Sequence, residues 1–338
     1  MIYVVPIEPL EERYSSQWRE WFYRFFTTKN VSHTFIDGIP LTSTIERGAF
    51  LDVCGTNYYK ASQLMQICKL VHEGSIKEDD IFLFMDLWFP GLEMLAYMKY
   101  ALDLKFRITG MLHAGTYDEN DFLTKHNMGI WGKPLEESWF TFVNAIFVAT
   151  KYHKRLLEDA RQCFSNSIYV TGFPIYPDFV SRNFKKENII IFPHRLDREK
   201  RPDKFDKLKY ALQCKYPNWQ FIKSKEVCKT KHEYYNLLER AKVAISFAEQ
   251  ETWGIAMQEA LFCGCIPIVP DRLSYEEMYP KCFRYYNFST STNSAVSLVE
   301  WAMKEYDIIK RTSWETTKDE LEMKGRNALD SIFYHLLR

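Results

Sequence analysis

The segment FAEQETWGIAMQEALF carries two glutamates, Glu251 and Glu259, eight positions apart around a Trp253-Gly254 turn. The turn follows an apolar strand pattern and precedes a helical one. If the helix begins near Gly254, the backbone N–H groups of residues 254–256 have no acceptor within the helix and point outward. Because a helix start of this kind binds a diphosphate well, the two carboxylates would flank a bound anion.

Carboxylates tolerate a neighbouring anion where they accept hydrogen bonds from neutral hydroxyls, and sugars supply such hydroxyls. We therefore expect Glu259 to bind a ribose and Glu251 to contact a transferred sugar. The alternative interpretation is structural: Glu251 caps the helix and Glu259 is a surface residue.

A second segment, FPHRLDREKRP, places Arg195 and Lys200 on a loop directly after the apolar strand pattern of residues 189–192. Cations at this position can neutralise a leaving diphosphate. A charged run by itself is also typical of a solvated loop. Taken together with the glutamate segment, it favours one site that holds a diphosphate and accepts hydrogen bonds from hydroxyls.

Short β-rich runs alternate with longer helical patterns along the chain, which predicts α/β domains with parallel sheets. A length of 338 residues favours two domains, and the breakers Gly172, Pro174 and Pro177 indicate a linker between them. We predict an N-terminal acceptor domain over residues 1–175, a C-terminal donor domain over 176–317 and a final helix over 318–338. Ligands of such sheets bind beyond the carboxyl ends of the strands.

Several classes of function lack their sequence signals. The chain contains no GxGxxG, GxxxxGK[ST] or HExxH motif, so dinucleotide dehydrogenases, P-loop NTPases and zincins are not favoured, and we expect no metal site. No apolar run is long enough for a membrane span and no signal peptide is recognisable, which predicts a cytoplasmic protein. The 44 basic and 44 acidic side chains cancel, which argues against strong sequence-independent binding of nucleic acid.

The segment ETWGIAMQEALFCGCIPIVP resembles the E-x7-E signature of retaining glycosyltransferases of family 4, and HRLDREK resembles their R-x4-K element. The resemblance is specific over residues 189–280, where FPHRLDREKRPDKF and CGCIPIVPDRLSYEEMYP are most similar to tRNA-queuosine mannosyltransferase-like proteins. The N-terminal part is similar to glycosyltransferases of phages with modified DNA bases. The resemblance implies the GT-B fold, in which two Rossmann-like, doubly wound domains face a central cleft and the final helix crosses back to the first domain.

The resemblance also implies roles for individual residues. Arg195 and Lys200 would hold the donor diphosphate, Glu251 would orient the donor sugar and Glu259 would bind the nucleotide ribose. A UDP- or GDP-sugar would be the co-substrate, and no cofactor would be required. The implied donor-binding residues are Arg195, Lys200, Glu251, Trp253, Gly254, Ile255 and Glu259, and the implied catalytic residues are His113, Arg195, Lys200 and Glu251.

Strand ends in the N-terminal domain offer candidates for the acceptor. His113 ends a strand pattern at the place where several family members carry a histidine near the transferred sugar, and a structural histidine is the alternative. Asp86 also ends a strand pattern and either orients the acceptor or begins a helix. Residues 127–140 contain Gly and Pro and are interpreted as a loop, in which Trp131 and Lys133 could contact an acceptor base.

One departure from the family is the sequence PIEPLEERYSS after the first strand, where members commonly carry a Gly-rich loop. Arg13, Tyr14, Ser15 and Ser16 could replace the contacts of that loop with the donor phosphate. A helix N-cap at Ser15 or Ser16 is the alternative.

Together these observations favour a retaining glycosyltransferase whose acceptor is a 5-hydroxymethyl pyrimidine in phage DNA, acting in the host cytoplasm. A queuosine-containing tRNA or a glycan is the alternative acceptor. A non-catalytic nucleotide-sugar-binding protein and a sugar-nucleotide epimerase of the same fold also stay open.

Overall fold

Two units make up the chain. The computed structural model describes residues 1–10, 14–41, 52–89, 91–161, 167–181, 184–286 and 293–338. Unit 1 comprises Met1–Ala149, His153–Gly172 and Ala328–Arg338, and unit 2 comprises Thr150–Tyr152 and Phe173–Asn327.

The described part of unit 1 contains a six-stranded parallel sheet with the strand order β2-β1-β3-β4-β5-β6. In chain order the elements are β1 (Ile2–Val5), α1 (Tyr14–Thr28), β2 (His33–Phe35), α2 (Val53–His72), β3 (Ile81–Phe84), α3 (Leu92–Ala101), β4 (Arg107–Met111), α4 (Phe122–Lys125), α5 (Gly129–Phe142), β5 (Ala145–Val148), α6 (Lys151–Arg161) and β6 (Ile168–Val170).

The described part of unit 2 contains a five-stranded parallel sheet with the order β11-β10-β9-β7-β8. Its elements are β7 (Glu187–Phe192), α7 (Pro202–Gln213), β8 (Gln220–Lys223), α8 (Ser224–Val227), α9 (Lys231–Arg240), β9 (Ala241–Ile245), α10 (Ile255–Phe262), β10 (Ile266–Pro270), α11 (Tyr275–Met278), β11 (Arg284–Tyr285), α12 (Asn293–Lys304) and α13 (Tyr306–Lys310). The last helix, α14 (Ser313–Leu336), begins in unit 2 and belongs to unit 1 from Ala328 onward.

Continuous apolar runs explain why the central strands lie inside both sheets. Every residue of β3, β5 and β10 is buried, as expected for parallel strands covered by helices on both faces. The aromatic residues of α1 add to the core of unit 1, because Trp18, Phe22 and Phe26 of this helix are also buried. The predicted α/β fold with two parallel sheets is confirmed.

The interpretation of residues 127–140 as a loop was wrong, because α5 covers most of this segment and contains Pro134. A proline within a helix removes the hydrogen bond to the carbonyl four residues earlier. Here that residue is Ile130, which as a whole residue is 87% exposed, so water has access to this turn of the helix and can replace the missing hydrogen bond.

The predicted N-cap at Ser15 or Ser16 was also wrong, because both serines lie within α1. The Ser15 hydroxyl donates a hydrogen bond to the Glu8 carbonyl at 2.7 Å instead. It therefore ties the helix to the segment after β1. Arg13 lies outside the described residues.

The C-terminal helix α14 begins at Ser313, five residues before the start predicted from the sequence. Its last residues pack within unit 1, where the rings of His335 and Tyr169 stack with their centroids 3.9 Å apart and Asp330 pairs with Lys29 at 2.6 Å. In the part of the chain that the structure describes, no helix is both long enough and apolar enough to cross a membrane.

Candidate active site

The loops after β7 and β9 meet at the point where the strand order of unit 2 reverses. In the sheet, β8 lies on one side of β7 and β9 on the other, and ligands of doubly wound sheets bind at this switch point. The backbone N–H of Glu249 donates to the Glu199 carbonyl at 2.7 Å and so links the two loops. The R-x4-K segment and the first glutamate of the E-x7-E segment therefore lie at the edge where a ligand is expected.

Lys200 connects these loops through its side chain, although it is only 6% exposed. Its Nζ donates to the Gln250 carbonyl at 2.6 Å and to Gln250 Oε1 at 3.3 Å. It also lies 3.4 Å from Glu251 Oε2. A buried cation with these acceptors is held in one orientation, which prepares it to meet an anion.

Glu251 folds back onto the turn that it precedes. Its Oε1 accepts hydrogen bonds from the backbone N–H groups of Gly254 at 2.8 Å and Thr252 at 3.2 Å. Burial by itself raises the pKa of Glu251, but the Lys200 charge and the backbone N–H groups outweigh burial and bring the pKa below its usual range. The carboxylate is therefore ionised at neutral pH.

The geometry of the turn corrects one expectation about the amides at residues 254–256. The Gly254 N–H is not available to a diphosphate, because it donates to Glu251. Ile255 and Ala256 begin α10, so their amides have no acceptor within the helix. Glu251 thus stabilises the turn before α10 but does not cap the helix, because the N-cap is Gly254 and no described side chain caps it. The amides of Ile255 and Ala256 remain at the helix start.

Gly254 is required at this turn for two reasons. Its φ of +63° lies in the left-handed region, which costs other residues free energy. A Cβ at this position would also lie 3.0 Å from the Tyr275 ring. The Tyr275 hydroxyl is in turn 3.0 Å from Ser246 Oγ, at the end of β9, so the ring cannot easily move away.

Arg195 is held by carboxylates of its own loop. Its Nη1 lies 2.9 Å from Asp197 Oδ2 and its Nη2 lies 3.5 Å from Glu199 Oε1. The side chain is 35% exposed. Unlike Lys200, Arg195 can therefore turn toward a ligand by exchanging partly solvated ion pairs.

Glu259 is surrounded by residues of α9 that the sequence analysis did not identify. Its Oε1 accepts from Lys231 at 2.8 Å and from the Tyr235 hydroxyl at 2.9 Å, while its Oε2 accepts from the Tyr234 hydroxyl at 3.1 Å. With 4% exposure, Glu259 is not the surface residue of the structural alternative. The apolar-polar spacing of α9 gave no signal for these contacts, because they depend on how α9 packs against α10.

Two further residues at this edge have a buried nitrogen without a hydrogen-bond partner among the described residues: His194 Nε2 and Trp253 Nε1. Burial lowers the pKa of His194 to about 3, with a further contribution from Lys200, so the imidazole is neutral. The Trp253 ring packs edge-on against Phe173, 6.4 Å between centroids. His194 stands first in the segment HRLDREK, but its position beside two cations gave no reason to single it out.

In unit 1, both ring nitrogens of His113 are engaged. Its Nε2 lies 2.7 Å from the Met85 carbonyl, which can only accept. Its Nδ1 is therefore unprotonated and accepts from the Tyr14 hydroxyl at 3.1 Å. Burial lowers the pKa of His113, although Asp86 opposes this effect, so His113 is neutral and has a fixed tautomer.

Asp86 does not begin a helix, because the N-cap of α3 is Gly91. Its carboxylate lies 3.1 Å from Lys60 Nζ and accepts from the Trp88 N–H at 3.1 Å. Because Asp86 and His113 follow the neighbouring strands β3 and β4, they lie at one sheet edge. Lys60 was missed because α2, which carries it, was not predicted.

Trp131 and Lys133 lie on α5 rather than on a loop. Trp131 is 50% exposed and contacts Trp88 edge-on, with the ring centroids 5.7 Å apart. Lys133 is exposed and lies 3.8 Å from Glu137. The two indoles present an aromatic surface beside an exposed cation. Among the described residues, no group of three or more His, Cys, Asp or Glu could hold a metal ion.

Comparison of the sequence with known proteins gives a partial match. No family model matches the chain. One stretch is 39% identical over 80 residues to the tRNA-queuosine alpha-mannosyltransferase of Drosophila melanogaster. The match covers 24% of this chain and 19% of the fly protein.

Comparison of the structure extends over the whole fold. Sucrose-phosphate synthase from Thermosynechococcus elongatus has a TM-score of 0.66 at 11% identity, with 99% of this chain and 96% of that one covered. A trehalose-phosphate synthase from Burkholderia xenovorans has a TM-score of 0.63 at 12% identity, with coverage of 96% and 86%. A variant of S. aureus TarM, solved with UDP, has a TM-score of 0.60 at 14% identity, with 82% of this chain and 59% of the TarM chain covered. The chain therefore has the α/β fold of GT-B glycosyltransferases.

Proposed function

We propose that this chain is a retaining glycosyltransferase that moves a sugar from a UDP- or GDP-sugar to a hydroxyl acceptor. The observation that carries the proposal is the Lys200–Glu251 pair at the switch point of unit 2, with Arg195 on the same loop. A buried cation beside an ionised carboxylate suits a ligand that has a diphosphate at one end and hydroxyls at the other.

The donor diphosphate is assigned to Arg195, Lys200 and the first amides of α10, at Ile255 and Ala256. Lys200 already points at the loop of Glu251. Arg195 reaches the phosphates by leaving Asp197 and Glu199, an exchange that its partial exposure makes possible. These donors stabilise the charge that develops on the leaving diphosphate.

The two glutamates are assigned to hydroxyls of the donor. An ionised carboxylate has about four acceptor positions, and Glu251 uses some of them for the backbone N–H groups of its turn. Its Oε2, beside Lys200, is the oxygen for a hydroxyl of the sugar. Glu259 Oε2 accepts one described hydrogen bond, from Tyr234, and has capacity for a ribose hydroxyl. Trp253 closes the turn between these two carboxylates.

In the transfer step, the bond between the anomeric carbon and the diphosphate oxygen breaks, and a bond from the acceptor oxygen to that carbon forms on the same face. The proton of the acceptor hydroxyl passes to the leaving phosphate oxygen, so no side chain forms a covalent intermediate. Glu251 orients the sugar, and Arg195 and Lys200 stabilise the diphosphate. Neutral His113, fixed by Tyr14, is assigned to the sugar side of the acceptor site.

We assign the acceptor to unit 1 and favour a 5-hydroxymethyl pyrimidine in DNA. The exposed Trp131, supported by Trp88, offers a ring for stacking with a base, and Lys133 and Asp86 supply a cation and a hydrogen-bond acceptor. A tRNA carrying queuosine is the second candidate, because the 80-residue match is to a tRNA-queuosine mannosyltransferase.

Mass spectrometry of nucleosides tests the proposal. DNA with 5-hydroxymethylcytosine or 5-hydroxymethyluracil, and separately queuosine-containing tRNA, is incubated with the chain and a panel of UDP- and GDP-sugars. The matched variants are Glu251→Gln, which keeps the side-chain shape but removes the charge, and Glu276→Gln on α11, where the glutamate is exposed. We expect a mass shift of one sugar that Glu251→Gln abolishes and Glu276→Gln preserves.

Other outcomes separate the parts of the proposal. Nucleoside diphosphate released without modified DNA, but with modified tRNA, would move the acceptor to the second candidate. An inverted anomeric linkage, read by NMR of the product, would refute the retaining mechanism. Binding of a nucleotide sugar without any turnover would favour a non-catalytic binding protein.

A further inference from the structure

The carboxylate of Glu136, on α5, is completely buried and accepts hydrogen bonds from three other segments of unit 1. Its Oε1 accepts from the Trp88 indole N–H at 3.1 Å and from the Thr116 backbone N–H at 2.6 Å. Its Oε2 accepts from the Thr116 hydroxyl and from Arg161 Nε, both at 2.9 Å. One side chain thereby connects α5 with α6 and with the loops after β3 and β4.

Arg161 completes this cluster, and its side chain is only 4% exposed. Its Nη2 forms an ion pair with Glu136 Oε2 and also donates to the Thr116 hydroxyl at 2.6 Å. The Thr116 hydroxyl therefore donates to the carboxylate and accepts from the guanidinium. A buried ion pair with these hydrogen bonds holds its members in one arrangement.

The stability of unit 1 by itself gives no reason for a buried ion pair between Glu136 and Arg161. Each charge loses several kcal/mol of hydration on burial, and apolar side chains of similar volume often give an equal or higher stability. Hydrogen bonds to an ion pair differ from apolar contacts because they fix the direction of each donor. The groups that Glu136 orients therefore explain the pair better than its stability does.

Trp88 is held through its backbone as well as through its ring. Its N–H donates to Asp86 at 3.1 Å, and its carbonyl accepts from Lys60 Nζ. Because the indole N–H lies on one edge of the ring, its bond to Glu136 excludes the rotamer in which the ring is turned over. The ring held in this way contacts the exposed Trp131 edge-on, with 5.7 Å between centroids.

Gly132 brings the backbone of α5 close to the same two loop residues. A Cβ at this position would lie 2.6 Å from Thr116 Cγ2 and 3.1 Å from Trp88 Cη2. Gly132 directly follows Trp131, and Glu136 lies four residues further along the helix, so the three are close neighbours on α5. The helix that carries Trp131 is thus packed against Trp88 and joined to it by a hydrogen bond.

We propose that Glu136 is a positioning residue for the acceptor: it fixes Trp88 and through it Trp131, so that the two indoles present one surface to a planar base. Arg161 and Thr116 hold Glu136 in turn. The inference rests on the proposed function, because it takes the acceptor to be a base that stacks on Trp131. Glu136 is buried and does not touch the acceptor itself, so its loss should weaken binding of the base and leave binding of the donor to unit 2 unchanged.

Fluorescence anisotropy tests the inference without a sugar donor. The probe is an end-labelled, twelve-nucleotide single-stranded DNA with one 5-hydroxymethylcytosine, titrated with the full chain. Glu136→Gln keeps the size of the side chain but removes the charge, and Trp88→Phe keeps a ring but removes the indole N–H. We expect each variant to weaken binding roughly tenfold, as for the loss of a hydrogen bond to a charged group. Because Glu136 acts through Trp88, the double variant should bind about as weakly as either single variant.

A matched control separates positioning from a general loss of stability. Glu136→Gln leaves the Arg161 charge buried without its partner, so it should also lower the melting temperature. Leu336→Ala removes fully buried apolar contacts elsewhere in unit 1 and should lower the melting temperature too, but it should leave the affinity for DNA unchanged. Thr116→Val keeps both charges and is similar in shape, so it gives the same comparison, with about a threefold weaker affinity, where Glu136→Gln fails to fold.

Equal losses of DNA affinity in Glu136→Gln and Leu336→Ala would overturn the inference, since instability would then account for both. Effects of Glu136→Gln and Trp88→Phe that simply add in the double variant would also overturn it, as would the absence of saturable DNA binding by the original chain.

These outcomes are distinct from those of the proposed function. Sugar transfer to DNA together with an unchanged DNA affinity of Glu136→Gln would refute the positioning role and leave the transferase standing. DNA binding that depends on Glu136, in a chain that releases no nucleoside diphosphate from any sugar donor, would support the positioning role and refute the transferase. Binding of UDP, measured by calorimetry, should be the same in the original chain and in every variant, because the donor is assigned to unit 2.

Discussion

Replacing Lys200 by methionine should destabilise unit 2 through Glu251. The Lys200 and Glu251 side chains are 7% and 16% exposed, with 3.4 Å between Nζ and Oε2. Loss of one partner of a buried pair costs about 3–5 kcal/mol. Because this pair is long and the carboxylate is partly exposed, we expect about 2–3 kcal/mol for Lys200→Met, at or below the low end of that range.

The companion variant Glu251→Gln removes the charge but keeps an oxygen that can accept from the Gly254 N–H, so it should cost less, about 1–2 kcal/mol. In Lys200→Met/Glu251→Gln neither charge is left alone. If the two residues are coupled, the double variant should therefore lose about 1–2 kcal/mol less than the sum of the single variants.

The coupling should also depend on pH in a defined direction. The pKa of Glu251 is lowered in the folded chain, so its contribution to stability is present above the unfolded value of about 4.3 and is lost as the pH falls through the folded pKa. In Lys200→Met this contribution should shrink or change sign, because burial alone raises the pKa of Glu251.

Urea unfolding at pH 7 and pH 4, followed by circular dichroism, measures these free energies, with Lys207→Met as a control at an exposed position of α7. Effects that add within about 0.3 kcal/mol in the double variant would refute the coupling. An unchanged stability of Lys200→Met would refute the claim that Lys200 compensates a buried carboxylate.

Three further predictions concern single positions. Between about pH 3 and pH 6.5 the unfolded chain binds a proton at His194 that the folded chain excludes, so the free energy of unfolding should fall as the pH is lowered through this range. In urea unfolding, His194→Gln should reduce the slope of that free energy against pH by up to about 1.4 kcal/mol per pH unit. An unaltered slope would show that His194 titrates normally. Gly254→Ala should lower the stability by about 1–2 kcal/mol because of its φ of +63°, and by a further amount because the added Cβ would meet the Tyr275 ring. Gly74→Ala, with a φ of +64° and no atom within 4 Å of the added Cβ, measures the backbone contribution alone. Equal losses of stability in the two variants would exclude a steric cost from Tyr275. Leu336→Ala should destabilise unit 1 by about 2–5 kcal/mol because Leu336 is fully buried. Leu337→Ala, at a 61% exposed position, should change the stability by less than about 0.5 kcal/mol. Similar losses of stability in the two variants would contradict the packing of the end of α14 against the core of unit 1.

Local sequence determined the central strands of both sheets because their apolar runs are continuous. The apolar runs IYVV, IFLF, AIFV and IPIVP form β1, β3, β5 and β10, and parallel strands need such runs to be buried on both faces. Spacing was also sufficient to place Arg195, Lys200 and Glu251 at one sheet edge, since residues that follow parallel strands share that edge.

Tertiary structure decided which atoms of these residues are engaged. Spacing could not indicate that Glu251 takes the Gly254 N–H, that Lys231 and two tyrosines surround Glu259, or that Tyr14 fixes the tautomer of His113. It also misjudged residues 127–140, where an exposed Ile130 lets a helix accept Pro134. Hydrogen-bond partners and solvent exposure depend on the packing of segments distant in the chain, whereas strand formation follows from each segment's own side chains.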